Sequence, residues 1–234
     1  DYFDNMYWGP RPSLSDYYTE VSYGAFTYVR GDVLDPGNDD ASPFYYSHPN
    51  SITWAANNAP QVAQWAIEQA DDDFDFSFYD TDPVDGIVNN TELTIVIVTS
   101  GTAGDAGGSA PWSHHWWTPS TISADGVTVE GEYSMTSENN PMGTHAHELG
   151  HDLGLPDLYD TVGGDSNGIG HYGLMGSGSW CGPTHMTAWS KMRLGWLTPT
   201  LVTVNDYYDI RNVETYPEAY VLMNSTYSTE EYFL

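Results

Sequence analysis

Basic side chains are scarce in this sequence. Its 234 residues include 5 Lys and Arg against 33 Asp and Glu, which gives a formal net charge of −28. Such a surface repels the phosphates of nucleic acids and the anionic headgroups of lipids. We therefore expect no nucleic-acid partner, and we interpret the acidic excess as a salt-adapted surface on which counter-ions screen the repulsion.

Cysteine and long apolar stretches are equally rare. The single cysteine, Cys181, permits no disulfide within the chain, and we interpret it as a small buried hydrophobic residue. The longest apolar run, residues 93–98, is interrupted by Thr94 and falls far short of the roughly 20 residues of a membrane helix. We therefore expect no membrane insertion. The acidic, aromatic start of the chain is unlike a signal peptide, so we expect a secreted protein to be represented here by a mature piece.

Hydrophobic residues make up 40% of the chain and aromatic residues 15%, which is enough for a packed core. Apolar spacing, capping residues and β-branched runs predict both element types, so the expected class is α+β. The predicted helices are residues 13–20 with Ser13 as N-cap, 60–70 with Pro60 in the first turn, 144–153 and 183–194. The predicted strands are residues 23–30, 93–98 and 128–135, with further alternation from residue 201 to the end, where we expect the chain to be truncated within a strand. Residues 31–51 and the Gly-rich residues 154–182 are predicted loops.

One short motif carries chemistry. Residues 147–151 read His-Glu-Leu-Gly-His. Two histidines four positions apart on a helix share one face, so both imidazoles can reach a single zinc ion. Glu148 is then placed to accept a proton from a water activated by the metal. The alternative is a surface helix with two unrelated histidines.

The third ligand decides the subclass of zinc site. The next Glu after Glu148 is Glu214, in the C-terminal tail, so a thermolysin-like scheme lacks its ligand. Asp157 instead completes the spacing H-E-x-x-H-x-x-G-x-x-D, the metzincin pattern with Asp in place of His. Gly154 supplies the positive φ for the sharp turn that ends the helix. The alternatives for Asp157 are a helix cap or a calcium ligand.

Metzincins also carry a Met-containing turn beneath the metal. Met175 lies in a Gly-rich segment 24 residues after His151 and fits this turn. It is predicted to pack under the metal without binding it.

These residues resemble the immune inhibitor A family of secreted zinc metalloproteases. The stretch 145–160 carries the resemblance most strongly, and segments 75–80, 112–114, 173–180 and 188–191 are also similar. The resemblance implies a metzincin-like domain with a mixed sheet, an active-site helix and a Met-turn. We expect residues 1–234 to form a single catalytic domain, with an N-terminal part to about residue 151 and a C-terminal part from about residue 152.

The resemblance also implies an activity. It is that of a secreted endopeptidase, made as a pro-enzyme, that acts on proteins or peptides. His147, His151 and Asp157 bind zinc in this scheme, and Glu148 is the general base. We expect a monomer. The alternative function is a non-catalytic carbohydrate- or surface-binding module containing zinc and calcium. A structural zinc site is closed by four protein ligands, whereas this motif offers three beside a base.

The residue that stabilises the transition state is left open. Many metzincins have a Tyr two positions after the Met, and this chain has Ser177 there. The candidates, which the sequence does not rank, are Tyr159, His171, Tyr172 and His185. For His185, a core or capping role is the alternative. The indoles of Trp112, Trp116 and Trp117 are candidates for the walls of the cleft, with core packing or loop anchoring as the alternative.

Family members also bind calcium, and one acidic loop fits such a site. Residues 80–86 resemble the opening of an EF-hand loop with one residue inserted. The candidate ligands are the side chains of Asp80, Asp82, Asp85 and Asn89 and the carbonyl of Ile87. The alternative is a plain acidic turn. A weaker second candidate comprises Asp160, Asp165 and Asn167.

The charge excess generates the first prediction. Zinc and calcium offset only a small part of −28, so most of the negative charge faces solvent. Added salt screens the repulsion between these carboxylates, and the thermal midpoint of unfolding is expected to rise with ionic strength at constant calcium. A midpoint that stays flat from low to molar salt contradicts a salt-adapted surface.

Overall fold

The computed structural model describes residues 2–31, 46–81, 83–162, 164–180, 182–223 and 232–233. The chain divides into two compact units. The middle unit is Arg30–Asp152, and the terminal unit combines Asp1–Val29 with Leu153–Leu234. The mixture of helices and small sheets agrees with the predicted α+β class. Within the described residues, no helix has the length and apolar content needed to cross a bilayer.

The elements are short and follow one another closely. The helices are α1 (Tyr2–Trp8), α2 (Leu14–Val21), α3 (Ile52–Asn57), α4 (Ala59–Ala70), α5 (Met142–Asp152) and α6 (Ala188–Arg193). The strands are β1 (Ile87–Val88), β2 (Val96–Thr99), β3 (His114–Trp117), β4 (Ile122–Ala124), β5 (Val127–Val129), β6 (Glu132–Ser137), β7 (Thr200–Leu201), β8 (Tyr220–Met223) and β9 (Tyr232–Phe233).

Two mixed sheets organise the middle unit. In one, β6 is central, with β2 parallel on one side and β3 antiparallel on the other. In the other, β5 lies between parallel β1 and antiparallel β4. Within the described residues β3 therefore pairs with β6 alone, and its second edge is open.

Helix α4 supplies apolar side chains to both sheets. Val62 and Ala63 pack with Tyr133 and Met135 of β6. One turn further on, Ile67 and Ala70 join a second cluster with the β1-β5-β4 sheet. Its other buried members are Phe76, Val88, Ile122, Ala124, Val127 and Val129. The helical spacing seen in the sequence thus corresponds to one buried face, and the prediction of this helix is confirmed.

The prediction of a strand over residues 23–30 is wrong. Tyr23 has a φ of 58° and Gly24 a φ of 82°, so the chain turns here. The rings of Phe26 and Tyr28 then pack edge-on against Tyr18, with centroids 5.9 and 5.0 Å apart. Aromatic packing, rather than a ladder of hydrogen bonds, orders this segment.

Other boundaries differ from the expectation. The predicted strand 128–135 divides into β5 and β6, because Gly131 takes a φ of 82° between them. The last predicted helix begins only at Ala188, after the N-cap Thr187, whose side chain accepts a hydrogen bond from the amide of Ser190. The strand expected at 93–98 begins at Val96.

The first predicted helix is confirmed as α2, and Ser13 caps it by accepting a hydrogen bond from the amide of Asp16. Helix α3, capped by Ser51, lies just beyond the loop predicted for residues 31–51 and was not foreseen. Residues 32–45, most of that loop, lie outside the described residues, as does Cys181.

Lys191, the single lysine of the sequence, is fully buried on α6. Its Nζ donates a hydrogen bond to the carbonyl of Val213 at 2.9 Å and lies 4.0 Å from the centre of the Tyr23 ring. Burial lowers the pKa of Lys191 to about 8, while Glu214 and Glu20 oppose the shift. A cation in this position is held by a carbonyl and an aromatic face.

This environment predicts a pH-dependent stability. Lys191 has a lower pKa in the folded chain than in the unfolded chain, so between about pH 8 and pH 10.5 the unfolded state binds the extra proton. The contribution of Lys191 to the free energy of unfolding therefore rises with pH across that window and is constant below it. Urea unfolding of the native chain and of Lys191→Met measures the difference.

The exposed Arg193→Met on the same helix is the control, because it removes a cation without removing a buried one. The free energy of unfolding is expected to rise across this pH window in the native protein and in Arg193→Met. In Lys191→Met this rise is expected to be absent. Equal slopes in all three proteins contradict this assignment.

Candidate metal centre

Helix α5 carries the motif and is anchored to strand β6 through buried polar groups. The hydroxyl of Ser134 donates a hydrogen bond to the backbone carbonyl of Glu148 at 3.2 Å. The hydroxyl of Thr136 lies 3.0 Å from Nδ1 of His145. Burial lowers the pKa of His145 to about 4, so this imidazole is neutral and belongs to the scaffold. These contacts fix the helix turn from which the motif side chains project.

The two motif histidines face each other. The Nε2 atoms of His147 and His151 are 3.1 Å apart, and their rings are nearly perpendicular with centroids 4.7 Å apart. His147 is 6% exposed. The spacing of four residues therefore brings two imidazole nitrogens to one point, as the sequence predicts.

Asp157 completes a cluster of three potential ligands. One ligand atom from each of His147, His151 and Asp157 lies within 4.8 Å of the others, and no other such group occurs within the described residues. Two nitrogens bound tetrahedrally to zinc at about 2.0–2.1 Å lie ~3.3 Å apart, close to the observed separation. Two imidazoles and a carboxylate are a usual donor set for zinc, so the residues fit this metal.

Glu148 lies on the same helix turn and is 5% exposed. Burying a carboxyl group costs free energy, so glutamate is rarely placed there for stability alone. Glu148 directly follows His147, so a buried carboxyl group belongs to the same helix turn as the histidine pair.

The chain leaves α5 through a glycine turn. Gly154 has a φ of 85°, and a Cβ added at this position would meet no atom within 4 Å. Glycine is therefore required by the backbone conformation and not by lack of space. This confirms the turn predicted between His151 and Asp157.

The segment after Asp157 is tied to the Met175 loop. The amide of Leu158 donates to the carbonyl of Met175 at 2.7 Å, and the carbonyl of Leu158 accepts from the amide of Ile169 at 2.9 Å. Met175 is 1% exposed. The residue next to Asp157 is thus joined directly to the Met175 backbone, while the packing of Met175 under a metal stays a prediction.

A histidine missed by the sequence analysis lies beside the motif. The ring of His115, on β3, is 6.3 Å from that of His151. Its Nε2 is 2.8 Å from Glu132 and its Nδ1 is 3.2 Å from the hydroxyl of Ser134. Desolvation lowers the pKa of His115 and raises the pKa of Glu132. The only sequence signal was the His114–His115 pair within an aromatic strand.

Asp152, the last residue of α5, has a side-chain partner. Its carboxylate accepts a hydrogen bond from the hydroxyl of Thr94 at 2.8 Å. This contact ties the last turn of α5 to the segment that precedes β2.

The four candidates for transition-state stabilisation differ in environment. Tyr172 is 90% and Tyr159 41% exposed. Nδ1 of His171 lies 2.9 Å from the carbonyl of Ser177. Burial is the main cause that lowers the pKa of His185, whose Nδ1 lies 3.3 Å from the carbonyl of Met186. These four stay candidates.

The candidate calcium loop is internally hydrogen-bonded. The carboxylate of Asp80 accepts hydrogen bonds from the backbone amides of Asp85 and Gly86, both at 3.0 Å.

Glu92, which the sequence analysis missed, accepts hydrogen bonds from the backbone amide of Thr81 at 2.8 Å and from the side chain of Asn89 at 2.8 Å. Glu92 thus joins the two ends of the loop. Asp82 lies outside the described residues.

The weaker acidic candidate forms a local turn. The carboxylate of Asp160 accepts from the amides of Val162 and Asp165 at 2.8 and 3.1 Å. The backbone carbonyl of Asn167 accepts a hydrogen bond from the amide of Gly170 at 2.8 Å.

Comparison with known proteins supplies the family. Residues 10–201 match the family described as "Immune inhibitor A peptidase M6, catalytic domain". Immune inhibitor A of Bacillus thuringiensis subsp. alesti is 26% identical, over 78% of this chain and 32% of that protein. The pre-pro-metalloprotease PrtV of Vibrio cholerae serotype O1 is 25% identical, over 95% of this chain and 28% of that protein. The chain spans less than a third of the length of these relatives. It belongs to the immune inhibitor A family of M6 peptidases.

Proposed function

We propose that this chain is a secreted, zinc-dependent endopeptidase that hydrolyses peptide bonds of proteins. The observation that supports this most strongly is the pair of imidazole nitrogens 3.1 Å apart. A carboxylate oxygen of Asp157 lies within 4.8 Å of a ligand nitrogen of each histidine. Membership of a peptidase family supports the reaction class. Secretion rests on the resemblance to secreted metalloproteases.

His147, His151 and Asp157 would hold the zinc ion, which when bound would supply a Lewis acid and lower the pKa of a water toward about 7. The chain's own contribution is the proton transfer. Glu148 accepts the proton of the attacking water and returns it to the amine of the departing peptide. The burial of Glu148 and the hydrogen bond from Ser134 to its backbone carbonyl support this role.

Strand β3 offers a place for the peptide backbone. Its second edge is unpaired within the described residues, and its residue His115 lies beside His151. An extended peptide adds to an open strand edge through main-chain hydrogen bonds. We propose that substrate lies along β3, next to the zinc ligands.

A non-catalytic binding module is the competing function. A structural zinc site is closed by four protein ligands. Within the described residues, the cluster contains three ligands, with Glu148 adjacent on the same helix turn. A cluster of three ligands, together with a buried carboxyl group on the same helix turn, favours the enzyme.

Calcium binding is a second part of the proposal. Counted from Asp80 with one inserted residue, Gly86 occupies the glycine position of an EF-hand loop and Glu92 the position of its final glutamate. Gly86 has a φ of 82°, as a sharp turn there requires. The buried Val88 attaches the loop to the core of the middle unit. We propose that calcium stabilises this loop.

The mechanism predicts the effect of neutralising the general base. Glu148→Gln keeps the size of the side chain and removes its proton affinity. kcat/KM on casein is expected to fall by about 10²–10⁴-fold, while zinc content stays at that of the native chain. Glu68→Gln, on the exposed face of α4, is the matched control and is expected to retain native activity.

Two results contradict the mechanism. One is a Glu148→Gln protein within tenfold of native activity. The other is a native protein that holds zinc and calcium but cleaves no protein substrate.

The calcium loop predicts a ligand-dependent stability. Because calcium binds the folded loop, millimolar calcium is expected to raise the thermal midpoint of the native chain. Glu92→Gln is expected to remove most of that rise, and Glu68→Gln to preserve it. If calcium leaves the midpoint of the native chain unchanged, residues 80–92 form an acidic turn only.

A further inference from the structure

The face of strand β3 that looks toward helix α5 bears two aromatic side chains. His115 pairs in register with Ser134 and Trp117 pairs with Glu132. Side chains directly opposite each other in a sheet share one face, and Ser134 bonds to α5 through the carbonyl of Glu148. His115 and Trp117 therefore lie on the face that carries the metal-binding helix.

The ring of His115 is fixed. Both of its nitrogens are engaged, one by Glu132 at 2.8 Å and the other by Ser134 at 3.2 Å. It has no nitrogen left to donate to a peptide. It lies 6.3 Å from the ring of His151 and provides a rigid support on that side of the motif.

Trp117 packs on this support. Its ring lies 5.8 Å from that of His115 at an interplanar angle of 74°, and 5.6 Å from that of Trp116. It is nevertheless 49% exposed. An indole that packs against two neighbouring rings and still exposes a large apolar surface to solvent is typical of a binding site rather than of a core.

Trp112 differs, although it is also exposed. A Cβ at Gly104 would lie 2.3 Å from the indole of Trp112, so this ring packs closely against Gly104. This contact fits the loop-anchoring interpretation. Trp117, by contrast, packs against His115, whose ring lies beside that of His151 on α5.

We propose that Trp117 is a specificity-determining residue that packs against a bulky apolar side chain of the substrate, close to the scissile bond. The inference rests on the proposed peptidase function. A peptide extended along the open edge of β3 points alternate side chains to the face of Trp117. Leucine, methionine or phenylalanine at that position gains contact with the indole, whereas alanine or a charged residue does not.

The first experiment profiles cleavage of a peptide library made from a proteome digest by the zinc-loaded chain. The native chain is expected to enrich bulky apolar residues at one position beside the cleaved bond. Trp117→Ala is expected to reduce kcat/KM for such peptides about tenfold relative to matched alanine peptides, which flattens the profile. Trp117→Phe retains an aromatic ring and is expected to keep most of the preference.

The second experiment measures binding without turnover. Peptide pairs that differ only in leucine or alanine at the selected position are titrated calorimetrically into zinc-loaded Glu148→Gln. With Trp117 present, the leucine peptide is expected to bind about tenfold more tightly. With Trp117→Ala added, the two dissociation constants are expected to converge.

Trp112→Ala is the matched control, since it removes another exposed indole from the same part of the chain. The proposal is overturned if Trp117→Ala keeps the native profile, or if Trp112→Ala flattens it equally. Absence of cleavage by the native chain is a different result. It refutes the proposed peptidase function instead.

Discussion

The attachment of helix α5 to strand β6 is the interaction on which the candidate site depends. Ser134 bonds to the carbonyl of Glu148, and Thr136 bonds to the neutral His145, so buried polar contacts hold the helix against the strand. Leaving a buried polar group without a hydrogen bond costs free energy. These two pairings therefore fix how the helix is rotated about its axis and where it lies along the strand. The positions of the two motif imidazoles follow from that placement.

The same strand connects the helix to the outer edge of the sheet. Ser134 contacts both Glu148 and His115, and Glu132 holds the other side of His115. Residues on three neighbouring elements thus share one hydrogen-bonded network. The two motif histidines, Glu148 and the proposed substrate edge are therefore parts of one local arrangement in the middle unit.

Local features were predictable from the sequence and distant pairings were not. The histidine pair depends on the geometry of one helix turn, and the Gly154 turn on one φ angle, so both follow from residue spacing. Residues 23–30 do not form the expected strand, because the aromatic residues of this segment pack against Tyr18. The roles of His115 and Glu92 depend on partners 17 and 11 residues away and could not be read from a local pattern.

Diffraction from zinc-loaded crystals, recorded above and below the zinc absorption edge, identifies the atoms that bind zinc. We expect an anomalous peak bound by Nε2 of His147, Nε2 of His151 and a carboxylate oxygen of Asp157, each at about 2.0–2.2 Å. We also expect that the carboxylate of Glu148 is not a ligand. A zinc peak that lacks Asp157, or one in which Glu148 closes the coordination sphere, would contradict the proposed zinc site.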